Sequence, residues 1–392
     1  MDWELFNFDY QLDPTHFRDL ISIEASKEAA SSLVLPPDWR EQLDRLNRVR
    51  AVHGTTALEG NPLSEAEVSK QMEALTSPVP ARSTKEQIQI RNAGKAQEII
   101  RSRFHPDGPE ISVEDILHLH EITTSDSDEH NNSPGKFRTF SVTVGSAETG
   151  GIHRGAPAER VPDLMKEFIL FVNSRKLREQ HPVVRALLAH FFLVTIHPFG
   201  DGNGRVSRLV EAAILFEGGY NVHGFYGLSN YFYRNEQEYK TRLQGCRATQ
   251  PFDATGFVEF GLKGFAEELK GINNFIKTKL NRLVYRTVLV RAFRKRTGER
   301  RRLLNTREFN LLEFLLTQTE PIDPFSPEPS RKISLSELAE APFIKAAYRN
   351  VTSRTFNREL FRLADLGFIS FGRAEGGKDW IVTLDFGAIG RY

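Results

Sequence analysis

Most of the chemistry in this chain lies in one stretch: Ile196-His197-Pro198-Phe199-Gly200-Asp201-Gly202-Asn203-Gly204-Arg205-Val206-Ser207-Arg208. Gly200, Gly202 and Gly204 permit positive φ and let backbone N–H groups converge on one point. Just ahead of a helix start, such a run makes an anion nest that the helix dipole strengthens. Arg205 and Arg208 are three apart, so they share one face of the first turn. Their guanidinium forks suit phosphate oxygens. Asp201 offers a hard oxygen to Mg²⁺, which takes few protein ligands and completes its shell partly with substrate phosphates. His197 has a near-neutral titration point and can accept a proton from an attacking hydroxyl. Any one of these residues also fits a plain glycine-rich turn. Together they predict a nucleotide phosphate site with a general base beside it. No Gly-Lys-Ser/Thr follows, so this is not a Walker loop, and a helix rather than a strand precedes it, so it is not a dinucleotide fingerprint.

The elements that must position this loop are legible on both sides. The apolar run Val183 to Ile196 predicts a buried helix leading in, and Val206 to Phe216 a helix leading out. Upstream, a short arm precedes a helix over 15–32, and Leu35-Pro36-Pro37 separates it from an amphipathic segment at Asp38 to Ala51. In His53-Gly54-Thr55-Thr56-Ala57-Leu58-Glu59-Gly60-Asn61-Pro62, the last three residues read as a helix stop. Glu59 at that helix end opposes the dipole and invites a cationic partner, unless it is simply a solvated surface carboxylate. Helices are predicted over 64–78, ended by Ser77-Pro78-Val79-Pro80, over 84–103 and over 112–122, with Ser64 and Ser112 as caps. His118 and His120 are two apart and face differently, which argues for structural roles over a metal pair. Apolar residues alternate over 138–144, predicting a short hairpin that returns near Ile152-His153-Arg154. Pro162 to Val172 reads as an amphipathic helix. The aromatics from Tyr220 to Tyr239, including Tyr226, read mostly as core and surface filler. Residues 252–304 read as long helices, with the basic run Arg291 to Arg302 a solvated face.

His-Pro-Phe-Gly-Asp-Gly-Asn-Gly-Arg-Val-Ser-Arg resembles the signature of Fic-domain proteins, His-x-Phe-x-Asp/Glu-Gly-Asn-Gly-Arg-x-x-Arg, at every fixed position. Most members of known activity transfer AMP from ATP to a hydroxyl of a target protein. The resemblance implies that His197 activates the hydroxyl and that Asp201 binds Mg²⁺. It implies that Gly202, Asn203 and Gly204 hold the α and β phosphates, with Gly200 in the same loop. Arg205 would neutralise their charge, Arg208 would meet the γ-phosphate, and Phe199 would anchor the loop. Thr55-x-x-x-Glu59-Gly60 resembles the family's inhibitory motif, Ser/Thr-x-x-x-Glu-Gly/Asn, placed N-terminal to the signature. The implication is that Glu59 pairs with Arg208 and blocks the productive γ-phosphate position. Gly135-Lys136-Phe137-Arg138 with the alternation after it looks like the family's flap, where an extended target segment would add by β-augmentation near 138–144. Around Asn235 and Tyr239 the likeness extends to a residue stacking on adenine. A homodimer is implied by analogy with this class.

The C-terminal part reads differently. Helix patterns at Thr306–Leu316, Ser334–Tyr348 and Ser353–Leu366 surround a proline-rich connector, Pro321 to Pro329. Strands at 368–371 and 380–384 flank Ala374-Glu375-Gly376-Gly377. Three helices and a hairpin resemble a winged helix, with Arg354, Arg358 and Arg362 as one stripe at i, i+4, i+8. Either DNA or a protein would be its partner, and the near-neutral charge favours a protein.

The expected fold is mainly α, a Fic-type helical bundle with a β-hairpin flap followed by a winged helix. The expected domains are 1–110, with the inhibitory helix at about 50–60, then 111–260, 261–303 and 304–392. A formal net charge of +1 over 392 residues excludes a global attraction to nucleic acid or membrane. The single Cys246 precludes an internal disulfide and fits a cytoplasmic setting. Residues 1–5 lack the basic and apolar regions of a signal peptide, and no apolar run is long enough to span a bilayer. The predicted activity is AMP transfer from ATP, restrained by Glu59. AMP removal, and a DNA-binding regulator that senses nucleotide, remain as alternatives.

Overall fold

In the computed structural model, the described residues are 10–11, 14–75, 83–126, 132–146, 151–221, 224–225, 227–249, 251–296, 302–321, 331–373 and 379–392. The readings made on residues 1–5, Ser77–Pro80, Tyr226, 297–301, 322–329 and 374–377 lie outside them. The chain divides into two compact units, Met1–Leu269 and Lys270–Tyr392.

The first unit is helical. Its elements are α1 (Pro14–Ser31), α2 (Pro37–Ala57), α3 (Glu65–Glu73), α4 (Lys85–Arg103) and α5 (Val113–Thr124), then β1 (Thr143–Ser146) and β2 (Gly151–Arg154). They continue with α6 (Val161–Val172), α7 (Arg175–Arg178), α8 (Pro182–Ile196), α9 (Asn203–Glu217), α10 (Ser229–Arg234) and α11 (Glu236–Arg247). The unit boundary falls within α12 (Thr255–Arg294). The starts of α3, α4 and α5 follow from their sequences. Ser64 with Glu67, Thr84 with Gln87 and Ser112 with Asp115 each form a reciprocal capping box.

The core of this unit is built around α8. Every residue from Val183 to Ile196 is buried, which explains why the run carries no polar face. It packs against α9 and α6, and α9 in turn meets α4 and α5. The chemistry-bearing loop is the connection between α8 and α9, so the two most buried helices of the unit fix both of its ends.

Helix α2 joins two stretches that read separately in the sequence. It starts at Pro37, where the ring's fixed φ suits a first turn, and runs unbroken to Ala57. Gly54 lets it approach α10 closely: a Cβ there would lie 2.7–2.8 Å from the backbone of Ser229 and Asn230. Beyond the helix end, Gly60 takes a φ of 86°. Asn61 then donates to Glu86 O at 3.0 Å and Gln89 Oε1 at 3.0 Å, tying the turn to α4.

Two expectations are corrected here. The helix predicted over 64–78 ends at Glu73. The strand predicted from 138 begins at Thr143, pairing with Arg154. The cause is Arg138, a charged residue in phase with Phe140, Val142 and Val144, which is buried. It donates to Phe140 O at 2.6 Å, His197 O at 2.7 Å and Ala156 O at 2.5 Å, and this inward reach holds 138–142 out of a regular ladder.

The second unit contains α13 (Thr306–Gln318), β3 (Ile333–Ser334), α14 (Leu335–Glu340), α15 (Pro342–Ala347), α16 (Ser353–Asp365), β4 (Ile369–Arg373) and β5 (Trp380–Leu384). Its antiparallel sheet has the order β3-β5-β4. Leu311, Leu315, Leu338, Leu363, Phe368 and Val382 share one core. The single helix predicted over Ser334–Tyr348 is two helices, because Pro342 opens a new one and cannot continue the last. The arginine stripe is also reduced. Arg354 and Arg358 are exposed, but Arg362 donates to the buried Glu308 carboxylate and to Leu303 O at 2.7 Å. Among the described residues, no helix is long and apolar enough to cross a membrane.

Candidate functional site

The loop is shaped by one left-handed residue at each end. His197 caps α8 with φ 56°, and Gly202 caps α9 with φ 77°. Gly200 and Gly204 do not take positive φ, so the three-glycine nest expected from the sequence is corrected to one glycine and one histidine. A non-glycine residue in this region carries strain and persists only where its surroundings hold it. Here they do. His197 N–H donates to Leu193 O at 3.0 Å, His197 O accepts from Arg138 Nε at 2.7 Å, and Pro198 O accepts from Arg138 N–H at 3.0 Å.

Phe199 is fully buried and stacks on His120 with ring centroids 3.7 Å apart. His120 is a spacer for the loop. Gly135 N–H donates to its Nδ1 at 3.1 Å, so its Nε2–H donates to Asp201 O at 3.1 Å. Burial lowers its pKa to about 4, which keeps it neutral in this role. His118 lies exposed and apart.

The Asn203 side chain turns inward. Its Oδ1 accepts from Phe199 N–H at 2.9 Å and its Nδ2 donates to Phe199 O at 3.0 Å. The side chain is thereby spent on the loop itself, and the group Asn203 leaves available is its backbone N–H, which belongs with that of Gly204 to the first turn of α9, where no intrahelical carbonyl is available. Asp201 is the loop's one carboxylate, partly open to solvent, and it receives Arg205 Nη2 at 3.0 Å. Among the described residues there is no group of three metal-ligating side chains.

His197 borders a small cleft of about 260 Å³. Glu59, Gly204, Arg208, Tyr239 and Arg247 line it too, with Val144 to Ser146 of β1 on one side. The sequence expected a near-neutral titration for His197. Burial first, and the Arg247 charge second, lower its pKa to about 4. Its Nδ1–H faces Val194 O at 3.3 Å, which leaves Nε2 as the accepting atom.

Arg208 is the most heavily engaged cation of the cleft. Its Nε donates to Thr55 Oγ1 at 2.7 Å, and its Nη2 donates to Thr55 O at 3.0 Å and Glu59 Oε1 at 2.6 Å. Arg208 is buried, while the Glu59 side chain remains 32% exposed. Burial opposes the Glu59 charge, but Arg208 and then Arg205 outweigh it and hold the carboxyl below its usual range. Gly204 makes room for this contact: a Cβ there would stand 2.2 Å from Glu59 Oε1.

Tyr239 lines the cleft, but its ring is 5% exposed and already stacks on Phe232 at 4.7 Å. That geometry does not present an open face for adenine. Its hydroxyl meets His190 Nε2 at 3.0 Å.

Sequence reading missed Arg138, His190, Glu211 and Arg247. All four sit in segments dominated by apolar or helical pattern, where a lone polar residue was the available signal. Arg247 donates to Thr195 Oγ1 at 3.1 Å and Val194 O at 3.2 Å. Burial lowers its pKa to about 10.

Residues 110–215 match the model of the Fic/DOC family. The chain is 31% identical over 172 residues to the protein adenylyltransferase fic-1 of Caenorhabditis elegans, covering 43% of this chain and 32% of that protein. It is 31% identical over 212 residues to the protein adenylyltransferase Fic of Aedes aegypti, covering 53% and 40%. The chain thus spans about a third of the length of the curated relatives it matches. Among solved structures, a Fic family protein from Desulfovibrio desulfuricans aligns with TM-score 0.55 and 19% identity over 96% of this chain and 97% of that one. Fic-1 residues 134–508 from C. elegans align with TM-score 0.55 and 24% identity over 68% and 74%. These two likenesses speak to the fold. From the family match and the loop geometry together, the chain carries a Fic/DOC family domain over residues 110–215, with His197 to Arg208 inside it.

Proposed function

We propose that this chain is a protein adenylyltransferase, transferring AMP from ATP to a Ser, Thr or Tyr hydroxyl of a target protein, and that Glu59 restrains it through Arg208. The observation that carries the reading is the convergence of three groups on one cleft: a neutral His197, the first turn of α9, and an arginine held by a displaceable carboxylate. In the reaction, the target hydroxyl oxygen attacks the α-phosphorus and gives its proton to His197 Nε2. The bond from the α-phosphorus to the bridging oxygen breaks, and pyrophosphate leaves. Catalysis of this kind is mostly positioning and charge stabilisation. The α9 N–H groups and Arg205 would hold the α and β phosphates, and Arg208 the γ-phosphate. Glu59 and that phosphate compete for one guanidinium.

Asp201 suits Mg²⁺ as a single protein ligand: its carboxylate is partly open to solvent and is the loop's one hard anionic group. The ion would supply charge neutralisation on the phosphates. Among the described residues β1 pairs with β2 alone, and its other edge would receive an extended target segment. In the second unit, the loss of Arg362 from the stripe supports protein contact over DNA as the role of a winged helix.

Labelled ATP with Mg²⁺ tests the reading, comparing the native chain, Glu59→Gly and Glu59→Gly/His197→Ala. Label that appears in the single variant and vanishes in the double is the expected result. No label in any variant, with ATP bound, overturns AMP transfer and moves the assignment to AMP removal or nucleotide sensing.

A further inference from the structure

Arg247 is buried, lines the cleft beside His197 and has no carboxylate partner among the described residues. A buried cation without an anion is costly, so what it holds is informative. Both of its hydrogen bonds go to the end of α8. Nε donates to Thr195 Oγ1 at 3.1 Å and Nη2 donates to Val194 O at 3.2 Å. None of the roles assigned above uses it.

The last four carbonyls of a helix have no partner within it, and in α8 each finds one elsewhere. Leu193 O accepts from His197 N–H at 3.0 Å, and Ile196 O accepts from Ala156 N–H at 3.1 Å. Thr195 O stands 2.8 Å from His153 Nε2, which therefore carries the proton. Val194 O takes Arg247, and the same oxygen faces His197 Nδ1 at 3.3 Å. A carbonyl has two lone pairs, so guanidinium and imidazole share it. The other charged or titratable groups around the ring are Arg138 ahead of β1, His153 of β2 and Glu59 beyond α2. Arg205 and Arg208 of α9 stand beside Glu59. Glu59 is the one anion of this set, and its contact is with Arg208.

We infer that Arg247 is the positioning residue for His197: it grips the last turn of α8 that presents the ring, and its cation, sharing the Val194 carbonyl with that ring, opposes a second positive charge there. The inference rests on the proposed reading of His197 as the base. A left-handed residue just past a helix end depends on how that end is held, and Arg247 holds two successive residues of it. With bonds of 3.2 and 3.3 Å to one oxygen, the two charges would stand about 6 Å apart, and at an effective dielectric of about 20 their opposition is on the order of a hundredfold in the protonation equilibrium. A base must be free of its proton when the hydroxyl arrives.

The test uses the full chain in the Glu59→Gly background. AMP incorporation at saturating ATP is followed from about pH 7.5 to about pH 5.5, each variant as a ratio to the parent at the same pH, so that titration of the nucleotide cancels. Arg247→Gln keeps one donor for Val194 O and loses the charge. His197 starts from a pKa of about 4. Protonation made easier by about a hundredfold brings its acid limb to about pH 6, so the ratio should fall about fourfold across the range. Arg247→Lys keeps the charge but not the fork, so its ratio should be lowered yet level. A merely structural role would lower both ratios without any dependence on pH, and that result overturns the inference. So does a raised KM for ATP with an unchanged profile, which would make Arg247 a contact to the nucleotide. Should Arg247→Gln fail to fold, NMR titration of the native chain reads the ring directly, with the His197 signal assigned by its loss in His197→Ala. A ring still neutral at about pH 5.5 is expected, and one that titrates near its ordinary value of about 6.5 overturns the inference. Label that persists in His197→Ala would sink the base assignment, and this inference with it.

Discussion

Glu59→Gln isolates the charge of the proposed brake. The side chain keeps its length and one carbonyl acceptor, while the carboxylate is lost. Arg208 is 4% exposed and Glu59 Oε1 lies 2.6 Å from its Nη2. A hydrogen bond to a charged partner contributes about 1.5–3 kcal/mol, against about 1 kcal/mol for a neutral one. The Glu59 side chain is one-third open to water, and solvent screening places this pair toward the lower part of that range, about 2 kcal/mol. Removing the whole contact then shifts the competition with phosphate by roughly thirtyfold, and removing only its charge shifts it by roughly fivefold. Initial rates of AMP incorporation at subsaturating ATP should therefore rise in the order native, Glu59→Gln, Glu59→Gly. Glutamine equal to the native chain would show that charge is not what competes. Glycine equal to the native chain would refute the competition altogether.

Three further outcomes follow from the same geometry. Gly54→Ala drives a Cβ to within 2.8 Å of the Ser229–Asn230 backbone, so thermal melting should show a loss of about 1–3 kcal/mol, with AMP incorporation rising as α2 is pushed off its seat. A variant with unchanged melting and unchanged rate counts against α2 packing as the basis of restraint. Arg138→Lys replaces a fork that reaches three carbonyls with a single ammonium, and it should cost about 2 kcal/mol of stability. It should also cut the rate in the Glu59→Gly background, because Arg138 holds the strained backbone of His197; full activity would show that it does not. Stability should also fall in mild acid. His120, His153 and His197 have folded pKa values of about 4, 3 and 4, each pushed down chiefly by burial. Between those values and the unfolded 6.5, the unfolded chain binds more protons, so stability is complete above pH 6.5 and is lost as pH falls. At about pH 5 the loss is about 2 kcal/mol for each histidine. A melting temperature that stays level from neutral pH to about pH 5 would contradict these buried neutral rings.

The helical plan of the first unit was legible because its signals are local. Capping pairs three residues apart, Pro37 at a helix start and a mainly apolar run at 183–196 each depend on neighbours in the chain. The loop was legible for a different reason: its residue types are dense enough that packing alone does not account for them. What the sequence hid depends on distance along the chain. Arg138 reads only as a charge at the start of the alternation until the carbonyls 18 and 59 positions away are in place to receive it. His190 sits in a helix that reads as mainly apolar, and Glu211 and Tyr239 are the partners that give it a purpose. The glycines misled in one respect. Gly204 serves closeness to Glu59 rather than backbone conformation, and the left-handed turn fell to His197, a residue whose propensity gave no sign of it.

In the proposed reading, restraint and activity share one side chain, Arg208. Thr55 and Glu59 are four apart, so the last turn of α2 and the residue just past it reach the same guanidinium. Thr55 belongs to the regular helix and holds Arg208 through both its hydroxyl and its carbonyl. Glu59 lies beyond Ala57, where the chain leaves the helix for the Gly60 turn. Helix ends open at far lower free energy than cores. The carboxylate is thus on the part that can lift away, and the threonine on the part that stays. Asn61 marks the limit of that motion, because its bonds to Glu86 O and Gln89 Oε1 fasten the chain again only two residues on. Withdrawal of Glu59 therefore needs only the short segment between Ala57 and Asn61 to rearrange, with α2 still seated on α10. An effector that loosens this segment would free the cation without dismantling the fold that aims it.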